Sequence, residues 1–536
     1  MSVLSSKSSV AQLVSLLCKY NIRHVVVCPG SRNAPIIQTL AACNLFECHA
    51  VTDERSAGFV AIGIADATND SVAVCCTSGS ALLNIAPAVA EAYYRNVPLI
   101  VVSADRPYEL IGQMDGQTIV QDGCFGPLAP TYNLRENDSA RYRNRLINEA
   151  LAHLTLGRRK PVHINVQICE PLFDFAETSL PDEHKTEWEP VAGKQLSDSA
   201  LQEWQSAQRK MFVIGQLSDY EARQISPCIE KLALCADTVV LAEHLSNLHN
   251  QHIISRFDDV LAAAENDAKE SLRPDLIIYI GGHIVSKRLK LFLREREVVC
   301  WHLADSESII DIFHAKMRML KGCASDLFAA LPQLHSDSGF ADVWHRQASA
   351  LPSVATDIYS PQSVVGQLVS QLPSGCALSL ANSSTVRYAQ HFCVPSDAVI
   401  ICNRGVNGIE GSLSAAVGYA VATTRLVVAI VGDLSFFYDS NALYNNALPS
   451  NLRIVLLNDG GGSIFSSLSG LEQSAYRDTL VAASHRFTAR GLADSFRCWY
   501  LQVSEYAQVA DAVQLLFAKG DRAVVAEFLF GALKRQ

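Results

Sequence analysis

The sequence predicts an α/β protein with three doubly wound parallel-sheet domains. Short apolar runs alternate with amphipathic helical patterns along most of the chain, which is typical of parallel strands covered by helices on both faces. The length of 536 residues fits three or four domains of about 150 residues each. The order of elements in the first third also returns in the last third. With 49% apolar and 18% charged residues, the chain can form large buried cores.

The first third, residues 1–180, contains four predicted strands separated by helices. Each strand ends in a short polar segment, and in a parallel sheet these segments meet at the carboxyl edge, where such sheets bind ligands. We therefore expect Ser31, Arg32, Glu54, Ser78 and Arg106 to lie along one edge. The predicted strands are 22–28, a strand leading to residue 52, 71–77 and 98–103, and the helices are 9–20, 56–66 and 82–95.

Two polar segments, 176–200 and 335–362, are predicted linkers, so the central domain spans 195–335 and the third domain 355–536. Gly281-Gly282 in the central domain lacks the spacing of a dinucleotide fingerprint and favours ordinary strand-to-helix packing. The predicted central strands are 211–215, 238–242, 276–281 and 298–303. Those of the third domain are 377–381, 398–402, 427–431, 454–457 and 524–528.

Charge and cysteine content exclude several classes of protein. A net charge of −10 argues against general nucleic-acid binding, although it leaves room for a basic pocket. No apolar run approaches the roughly 20 residues that cross a bilayer, and no signal peptide is evident, so no membrane association is expected. Sixteen cysteines without a CxxC pair indicate reduced thiols. We expect a cytoplasmic protein.

A βαβ unit between residues 427 and 465 carries the first candidate site. Asp433 follows one apolar run and Asn458 ends the next, so both are predicted at the carboxyl ends of adjacent strands. A carboxylate, an amide oxygen and a loop carbonyl are hard ligands that suit Mg²⁺ bound to a diphosphate. The alternative is ordinary loop chemistry, since Gly-Asp and Asn-Asp-Gly are also common turn sequences.

Asp433 and Asn458 are 25 positions apart, which resembles the diphosphate-binding motif of thiamine-diphosphate enzymes. Two residues depart from that motif. Leu434 stands where a third glycine is usual, and Asp459 stands where a second asparagine is usual. Asp459 adds a negative charge beside a diphosphate, which leaves the metal affinity open.

The motifs of the outer thirds together resemble the 2-succinyl-5-enolpyruvyl-6-hydroxy-3-cyclohexene-1-carboxylate synthases of menaquinone biosynthesis, a family of thiamine-diphosphate enzymes. The resemblance runs nearly end to end. The motifs that carry it, besides the 432–458 segment, are Pro29-Gly30-Ser31-Arg32, Thr52-Asp53-Glu54-Arg55, Thr77-Ser78-Gly79, Ala104-Asp105-Arg106-Pro107, Asn382-Ser383, Asn403-Arg404-Gly405 and Gly408-Ile409-Glu410-Gly411.

This resemblance implies three domains: a pyrimidine-binding domain, a central domain and a diphosphate-binding domain. It also implies a homodimer or homotetramer whose cofactor lies between the first domain of one subunit and the third domain of another. The implied reaction decarboxylates 2-oxoglutarate and adds the resulting succinic-semialdehyde carbanion to isochorismate. Carbon dioxide and 2-succinyl-5-enolpyruvyl-6-hydroxy-3-cyclohexene-1-carboxylate are the products, and the enzyme is a transferase.

The resemblance also implies a role for each matching residue. Glu54 activates the cofactor by hydrogen bonding to its aminopyrimidine ring; the alternative is a first-turn glutamate that only complements the helix dipole. The other implied cofactor contacts are Ser78, Gly408, Ile409, Gly432, Asp433, Leu434, Asn458 and Phe465. Mg²⁺ or Mn²⁺ is held by Asp433, Asn458 and the carbonyl of Gly460. The implied substrate contacts are Ser31, Arg32, Arg106, Gln117, Lys287, Ser383, Arg387 and Arg404.

Residue chemistry supports this pair of substrates independently. Each substrate carries two carboxylates, and arginine binds a carboxylate through two parallel hydrogen bonds. Arg32, Arg106, Arg387 and Arg404 each follow a predicted strand or begin a helix beside one. Any one of them alone is more simply a surface or ion-pair residue. Four at matching positions favour a basic pocket.

Three residues bear on the alternatives. Gly116 stands where the family has asparagine before the glutamine, which puts one substrate contact in doubt, while Ser56 in place of glycine is harmless at a helix start. Asp53 stands where acetolactate synthases, a sister family, usually have histidine. The remaining alternatives are a different 2-oxo acid lyase, which product analysis would reveal, and a binding protein that kept the fold without activity.

Overall fold

The computed structural model describes residues 3–155, 159–186, 196–303, 309–332, 337–445, 448–462, 464–465, 470–471, 473–531 and 533. These residues form three parallel sheets with helices on both faces. The predicted fold class is therefore confirmed. Within the described ranges, every helix is too short or too polar to cross a bilayer.

The first domain contains a six-stranded sheet in the order β3-β2-β4-β5-β7-β6, in which every pairing is parallel. A short antiparallel pair of β1 (Leu4–Ser5) and β8 (Phe175–Glu177) lies beside it. The sheet strands are β2 (His24–Val27), β3 (Glu47–Ala50), β4 (Val72–Cys76), β5 (Leu99–Asp105), β6 (Thr131–Leu134) and β7 (Val162–Gln167). The helices are α1 (Ser8–Lys19), α2 (Ala34–Ala42), α3 (Glu54–Thr68), α4 (Ser80–Asn84), α5 (Ala86–Arg95) and α6 (Ala140–Thr155).

The central domain contains a five-stranded parallel sheet in the order β10-β9-β11-β12-β13. Its strands are β9 (Lys210–Ile214), β10 (Thr238–Ala242), β11 (Leu276–Ile280), β12 (Val299–Leu303) and β13 (Lys316–Leu320). Its helices are α7 (Asp198–Ser206), α8 (Asp219–Leu232), α9 (Phe257–Ala263), α10 (Asn266–Ser271), α11 (Lys287–Arg294), α12 (Ala324–Ala330) and α13 (Phe340–Ser349).

The third domain repeats the six-stranded plan in the order β15-β14-β16-β17-β19-β18. Its strands are β14 (Ala377–Leu380), β15 (Val399–Ile401), β16 (Val427–Gly432), β17 (Leu452–Asn458), β18 (Trp499–Val503) and β19 (Val524–Leu529). Its helices are α14 (Pro361–Ser370), α15 (Ser384–Ala389), α16 (Ser412–Val421), α17 (Asp433–Tyr438), α18 (Arg490–Ser495) and α19 (Val509–Phe517).

Helix α13 lies within the segment 335–362 that the polar composition predicted as a linker, and that prediction is wrong for these ten residues. Phe340 and Trp344 stand four positions apart, so they share one helix face. Both side chains are buried in the central core beside α9. Most of the other residues of the helix are polar because they face water. The polar composition of the segment therefore concealed the short apolar stripe and led to the linker prediction.

The first and third domains share one apolar core in which α3 packs against α16. The backbones of these helices approach closely at two glycines. A Cβ on Gly63 would lie 2.0 Å from the carbonyl oxygen of Ala415, and one on Gly418 would lie 2.1 Å from that of Val60. Any larger residue would push the helices apart, so the two glycines determine how the outer domains sit against each other.

Candidate active site

Glu54 is the first residue of α3 and follows β3 at the carboxyl edge of the first sheet. Asp53 caps the helix, since its Oδ1 accepts a hydrogen bond of 2.9 Å from the backbone N–H of Ser56. Burial raises the pKa of Glu54, and the neighbouring charge of Asp53 raises it further against the helix N–H groups that lower it. Near neutral pH this carboxyl group therefore holds a proton more readily than an ordinary glutamate.

The other first-domain residues lie along the same edge, as predicted. Burial raises the pKa of Cys28 and of Cys76, at the ends of β2 and β4, and the charge of Glu54 adds to both effects. Ser78 is buried after β4, and its hydroxyl donates a 2.9 Å hydrogen bond to the carbonyl of Gln117. Arg106 follows β5 and donates to the carbonyl of Gly116 at 2.8 Å.

Ser31 and Arg32 follow β2 in the same row. Ser31 is exposed, whereas Arg32 is buried and pairs with Glu170 at 2.9 Å. The guanidinium also donates to the carbonyl of Ile168 at 2.9 Å. Gln117 has an exposed side chain on a left-handed backbone, with φ of 61°. Such a conformation is uncommon for residues other than glycine and occurs often at binding sites.

Asp433 lies at the centre of the third-domain part of the site. It is buried at the end of β16, and its Oδ2 accepts hydrogen bonds of 2.8 Å from the backbone N–H groups of Gly460 and Gly461. Its Oδ1 accepts one from Leu434 at 2.6 Å. Burial and, to a smaller extent, the negative charge of Asp459 raise the pKa of Asp433 to about 7. The backbone N–H donors act in the opposite direction and lower this pKa. A carboxylate in this position gains from a nearby cation.

Asn458 ends the adjacent strand β17, with its amide group oriented by its neighbours. Its Nδ2 donates to Glu527 at 2.7 Å and to the carbonyl of Phe487 at 2.9 Å. Its Oδ1 is thereby turned toward the loop, where it accepts from the N–H of Gly460 at 3.2 Å. The carboxylate of Asp433 and the amide oxygen of Asn458 thus converge on the same glycine loop.

Arg404 follows β15 and is linked to the loop at Gly408 through hydrogen bonds of Asn382. Its Nη1 donates to the Asn382 side-chain oxygen at 2.9 Å, and Nδ2 of Asn382 donates to the carbonyl of Gly408 at 2.8 Å. Ser383, with φ of 72°, precedes α15, and its carbonyl accepts a hydrogen bond from Arg387. Burial of the guanidinium and the positive charge of Arg404 lower the pKa of Arg387. The positive charges of the two arginines therefore act on each other.

The predicted apolar and glycine contacts lie around the same loops. The carbonyl of Ile409 accepts a 2.8 Å hydrogen bond from Ser435 in α17, and the Ile409 side chain is exposed. Gly432 caps α17, and a Cβ at that position would meet no atom within 4 Å. Leu434 and Phe465 are half-buried, and the N–H of Phe465 donates to the carbonyl of Gly462.

The donor set suits a divalent cation bound to a diphosphate. Asp433, Asn458 and the Gly460 carbonyl offer oxygen ligands, which Mg²⁺ and Mn²⁺ prefer. The open space beside Gly432 can accept a group that a side chain would exclude. His485 adds a buried ring nitrogen 3.2 Å from Asp433 Oδ2 that has no hydrogen-bond partner in the described part of the chain. The third-domain site therefore fits the diphosphate end of the cofactor.

Three of the four predicted substrate arginines also have an unused donor. The Nε atoms of Arg32, Arg106 and Arg404 are buried, and none has a hydrogen-bond partner among the described residues. The nearest acid to that of Arg106 is Asp115, at 3.7 Å. Buried donors are rarely left unpaired in native proteins. Carboxylate oxygens of a bound substrate would satisfy them.

Glu91, on α5 of the first domain, holds the loop that carries Arg404. Its buried carboxylate accepts hydrogen bonds from the backbone N–H groups of Gly405 and Val406, at 2.9 and 2.8 Å. Arg95 lies 3.9 Å from Glu91 and forms two hydrogen bonds with Asp66. A Cβ on Gly405 would lie 2.8 Å from the Glu91 carbonyl, so glycine permits this approach.

Among the residues that the structure describes, no hydrogen bond or ion pair joins the predicted central-domain lysine to the four arginines. Lys287 is exposed at the start of α11. Lys290 lies one turn later, and burial lowers its pKa. The negative charge of Glu243 raises that pKa, and the positive charge of Arg404 lowers it. Glu243 is buried and accepts from the N–H groups of Val285 and Ser286, both at 2.7 Å. The charge of Lys290 therefore acts with that of Arg404, and the role of Lys287 stays a prediction.

Within one chain, the residues around Glu54 meet the third domain away from Asp433. Asp53 accepts a 2.8 Å hydrogen bond from Asn441, and Arg55 donates to the Tyr438 carbonyl at 2.8 Å. The first contact lies past the C-terminal end of α17 and the second lies at its last residue, while Asp433 begins that helix about 8 Å from Tyr438. In the described ranges, no hydrogen bond or ion pair joins Glu54 to Asp433.

This combination of fold and site defines a thiamine-diphosphate enzyme, and family models match all three domains. The "Thiamine pyrophosphate enzyme, N-terminal TPP binding domain" matches residues 8–124. The "Middle domain of thiamine pyrophosphate" enzymes matches 182–377, and the "Thiamine pyrophosphate enzyme, C-terminal TPP binding domain" matches 382–528.

Similar curated proteins narrow the class to one family. The chain is 41% identical over 526 residues to a protein of Bacteroides fragilis, with 95% of this chain and 93% of the relative covered. It is 42% identical over 528 residues to one of Phocaeicola vulgatus, with the same coverage, and 40% identical over 494 residues to one of Desulfotalea psychrophila, covering 89% and 90%. All three are named 2-succinyl-5-enolpyruvyl-6-hydroxy-3-cyclohexene-1-carboxylate synthase. The chain belongs to this family, as its motifs predicted.

Proposed function

We propose that this chain condenses 2-oxoglutarate with isochorismate and releases carbon dioxide, forming 2-succinyl-5-enolpyruvyl-6-hydroxy-3-cyclohexene-1-carboxylate in menaquinone biosynthesis. Family membership supports the reaction. The observation that carries it to this site is that the buried Nε atoms of Arg32, Arg106 and Arg404 form no hydrogen bond among the described residues, although Arg106 Nε lies 3.7 Å from Asp115. Two dicarboxylate substrates would provide acceptors for these Nε donors.

Bound thiamine diphosphate supplies the electron sink that decarboxylation of a 2-oxo acid needs. In this proposal, Asp433, Asn458 and the Gly460 carbonyl hold Mg²⁺ or Mn²⁺ at the diphosphate. Gly432, Leu434, Gly408, Ile409, Ser78 and Phe465 surround the cofactor. Glu54 hydrogen-bonds to the aminopyrimidine ring, and its raised pKa suits a carboxyl group that exchanges a proton with a ring nitrogen near neutral pH.

The remaining predicted residues bind substrate in this proposal. Arg404 and Arg387, whose charges act on each other, hold one carboxylate together with Ser383, and the charge of Lys290 also acts with Arg404. Arg32, Arg106, Ser31 and Gln117 line the first-domain edge, where a second carboxylate and the hydroxyl of isochorismate would bind. Lys287, exposed at the start of α11, is the predicted substrate contact from the central domain.

We further propose that the active site forms between two subunits of a homodimer or homotetramer. The support is the position of Glu54, whose neighbours contact the distal end of α17 in their own chain. A second copy of the chain would then supply the diphosphate site that faces Glu54. The sixteen cysteines are all free thiols, which supports a cytoplasmic location.

Carbon dioxide release from 2-oxoglutarate, with thiamine diphosphate and Mg²⁺, tests the proposed reaction. We expect rapid release only when isochorismate is also present, together with one new adduct by mass spectrometry. Turnover of pyruvate without any need for isochorismate would keep the cofactor but contradict the substrates. Tight cofactor binding without release from either oxo acid would indicate a catalytically silent member of the family.

Replacing Arg387 by alanine should weaken substrate use more than cofactor binding. A carboxylate that loses a charged hydrogen-bond partner costs about 1.5–3 kcal/mol, so we expect KM to rise by about one to two orders of magnitude. Steady-state kinetics with each substrate and calorimetric titration of thiamine diphosphate measure the two effects separately. Arg522→Ala, at an exposed arginine of the same domain, is the matched control. A large loss of cofactor affinity with unchanged KM would mean that Arg387 belongs to the cofactor site and not to the substrate site.

A further inference from the structure

A group of three potential metal ligands lies at the opposite end of the first sheet from Glu54. His24 begins β2, and Glu47 and His49 lie on the neighbouring edge strand β3. His24 pairs in register with Glu47, and Val26 pairs with His49. Since side chains two positions apart point to the same face of a strand, all three ligands project from one face. We call them the His24 site.

The distances within the His24 site match a tetrahedral metal. Nδ1 of His24 lies 3.2 Å from Nε2 of His49 and 3.6 Å from Oε2 of Glu47. All three ligand atoms lie within 4.8 Å of one another. Two ligands of a tetrahedral Zn²⁺ with bonds of about 2.0–2.1 Å are separated by about 3.3 Å. A metal could therefore bind with small side-chain movements and no backbone change.

The chemistry of the three ligands is also suitable. Burial lowers the pKa of His49, the nearby His24 lowers it further, and Glu47 opposes both effects. The His49 imidazole therefore stays neutral at pH 7, which is the form that binds a metal. Glu47 is exposed and offers a carboxylate, while the half-buried histidines restrict the approach to one side. Two imidazoles and a carboxylate favour Zn²⁺ or a similar transition metal over Mg²⁺.

We propose that His24, Glu47 and His49 form a binding site for one transition-metal ion, such as Zn²⁺, with a fourth position open to water. It differs from the proposed Asp433 site in ligand type; His24 and Glu47 begin their strands, and His49 lies two residues further along β3. β2 leads to Ser31 and Arg32, and β3 leads to Glu54. A metal here joins the starting points of the two strands that carry these residues and stabilises their pairing at the edge of the sheet.

The test uses the full chain loaded with thiamine diphosphate and excess Mg²⁺, so that the Asp433 site is occupied. Equilibrium dialysis against Zn²⁺ should show one ion per chain. His49→Gln should weaken that binding at least about 30-fold, because two ligands remain of three. Glu47→Gln, at an exposed position that cannot disturb the fold, should also weaken it. Zn²⁺ should raise the melting temperature of the wild type but not that of His49→Gln.

Cys48→Ser is the matched control, since Cys48 lies between the two β3 ligands and points to the opposite face. We expect it to bind Zn²⁺ like the wild type. Co²⁺ should give visible absorption bands without the charge-transfer band of a thiolate ligand, because no cysteine takes part. Equal Zn²⁺ binding by the wild type and His49→Gln would overturn the proposal, as would loss of binding only in Cys48→Ser. Condensation activity of the wild type, assayed with Mg²⁺ and no Zn²⁺, is measured in parallel, so that a failure of the proposed reaction is seen separately from either result.

Discussion

Glu54→Gln is expected to reduce kcat for the condensation by about two to four orders of magnitude, the usual contribution of a positioned acid–base group. Glutamine matches glutamate in size but cannot exchange a proton with the aminopyrimidine ring. The helix should remain intact, because the cap on α3 is provided by Asp53 and not by Glu54. Initial rates of carbon dioxide release measure kcat, and circular dichroism with a thermal melt reports on the fold.

Glu47→Gln makes the same chemical change at an exposed glutamate seven residues earlier in the sequence, and it should keep wild-type turnover when no transition metal is added. A second comparison is cofactor affinity, which Glu54→Gln should change far less than kcat. Near-normal turnover in Glu54→Gln would remove this residue from the chemistry and leave it as a first-turn helix glutamate.

Mixing two inactive variants should restore activity. Asp433→Ala removes a proposed metal ligand and Glu54→Gln removes the proposed proton-transfer group, so each homodimer should be inactive. If each site takes Glu54 from one subunit and Asp433 from the other, a mixed dimer contains one site with both residues intact. Random pairing of equal amounts then recovers about one quarter of wild-type activity. Co-expression with two different affinity tags isolates the mixed dimer, which should have about half.

The same experiment has a clear contrary outcome. If Glu54 and Asp433 of one chain act together, every site in every dimer lacks one of them and the mixture stays inactive. The doubly substituted chain co-expressed with wild type is the control, because it also gives mixed dimers with altered subunits. In that pairing each site combines one intact and one altered residue, so the mixed dimer itself should be inactive under the intersubunit arrangement.

Strand ends were the most predictable part of the molecule. Continuous apolar runs such as Val427–Gly432 indicate a buried parallel strand, and the polar residue that follows must then lie at the carboxyl edge. This reasoning placed Asp433, Arg404 and Glu54 without reference to distant contacts. β18 was not predicted, because its residues are mostly exposed at the edge of the sheet and lack a buried run.

Contacts between distant segments could not be predicted from local sequence. Glu91 and Gly405 are 314 positions apart, and α5 shows only an ordinary amphipathic pattern around Glu91. Glu527, 69 positions away inside an apolar strand, orients Asn458 through a hydrogen bond. The only sign of this contact in the sequence is a glutamate within an apolar run. Lys287 and Lys290 occupy the same short helix, and the sequence alone did not indicate that the charge of Lys290 acts with that of Arg404.

The crossing of α3 and α16 also bears on how the chain can be divided. Carbonyl oxygens of each helix fill the space beside a glycine of the other helix. Neither contact face would therefore tolerate water in place of the partner helix. A fragment holding only the first domain would expose Phe59 and Val60, and one holding only the third would expose Leu413 and Val417. The two outer domains are therefore expected to fold together and not as separate fragments, although the central domain separates them in the sequence.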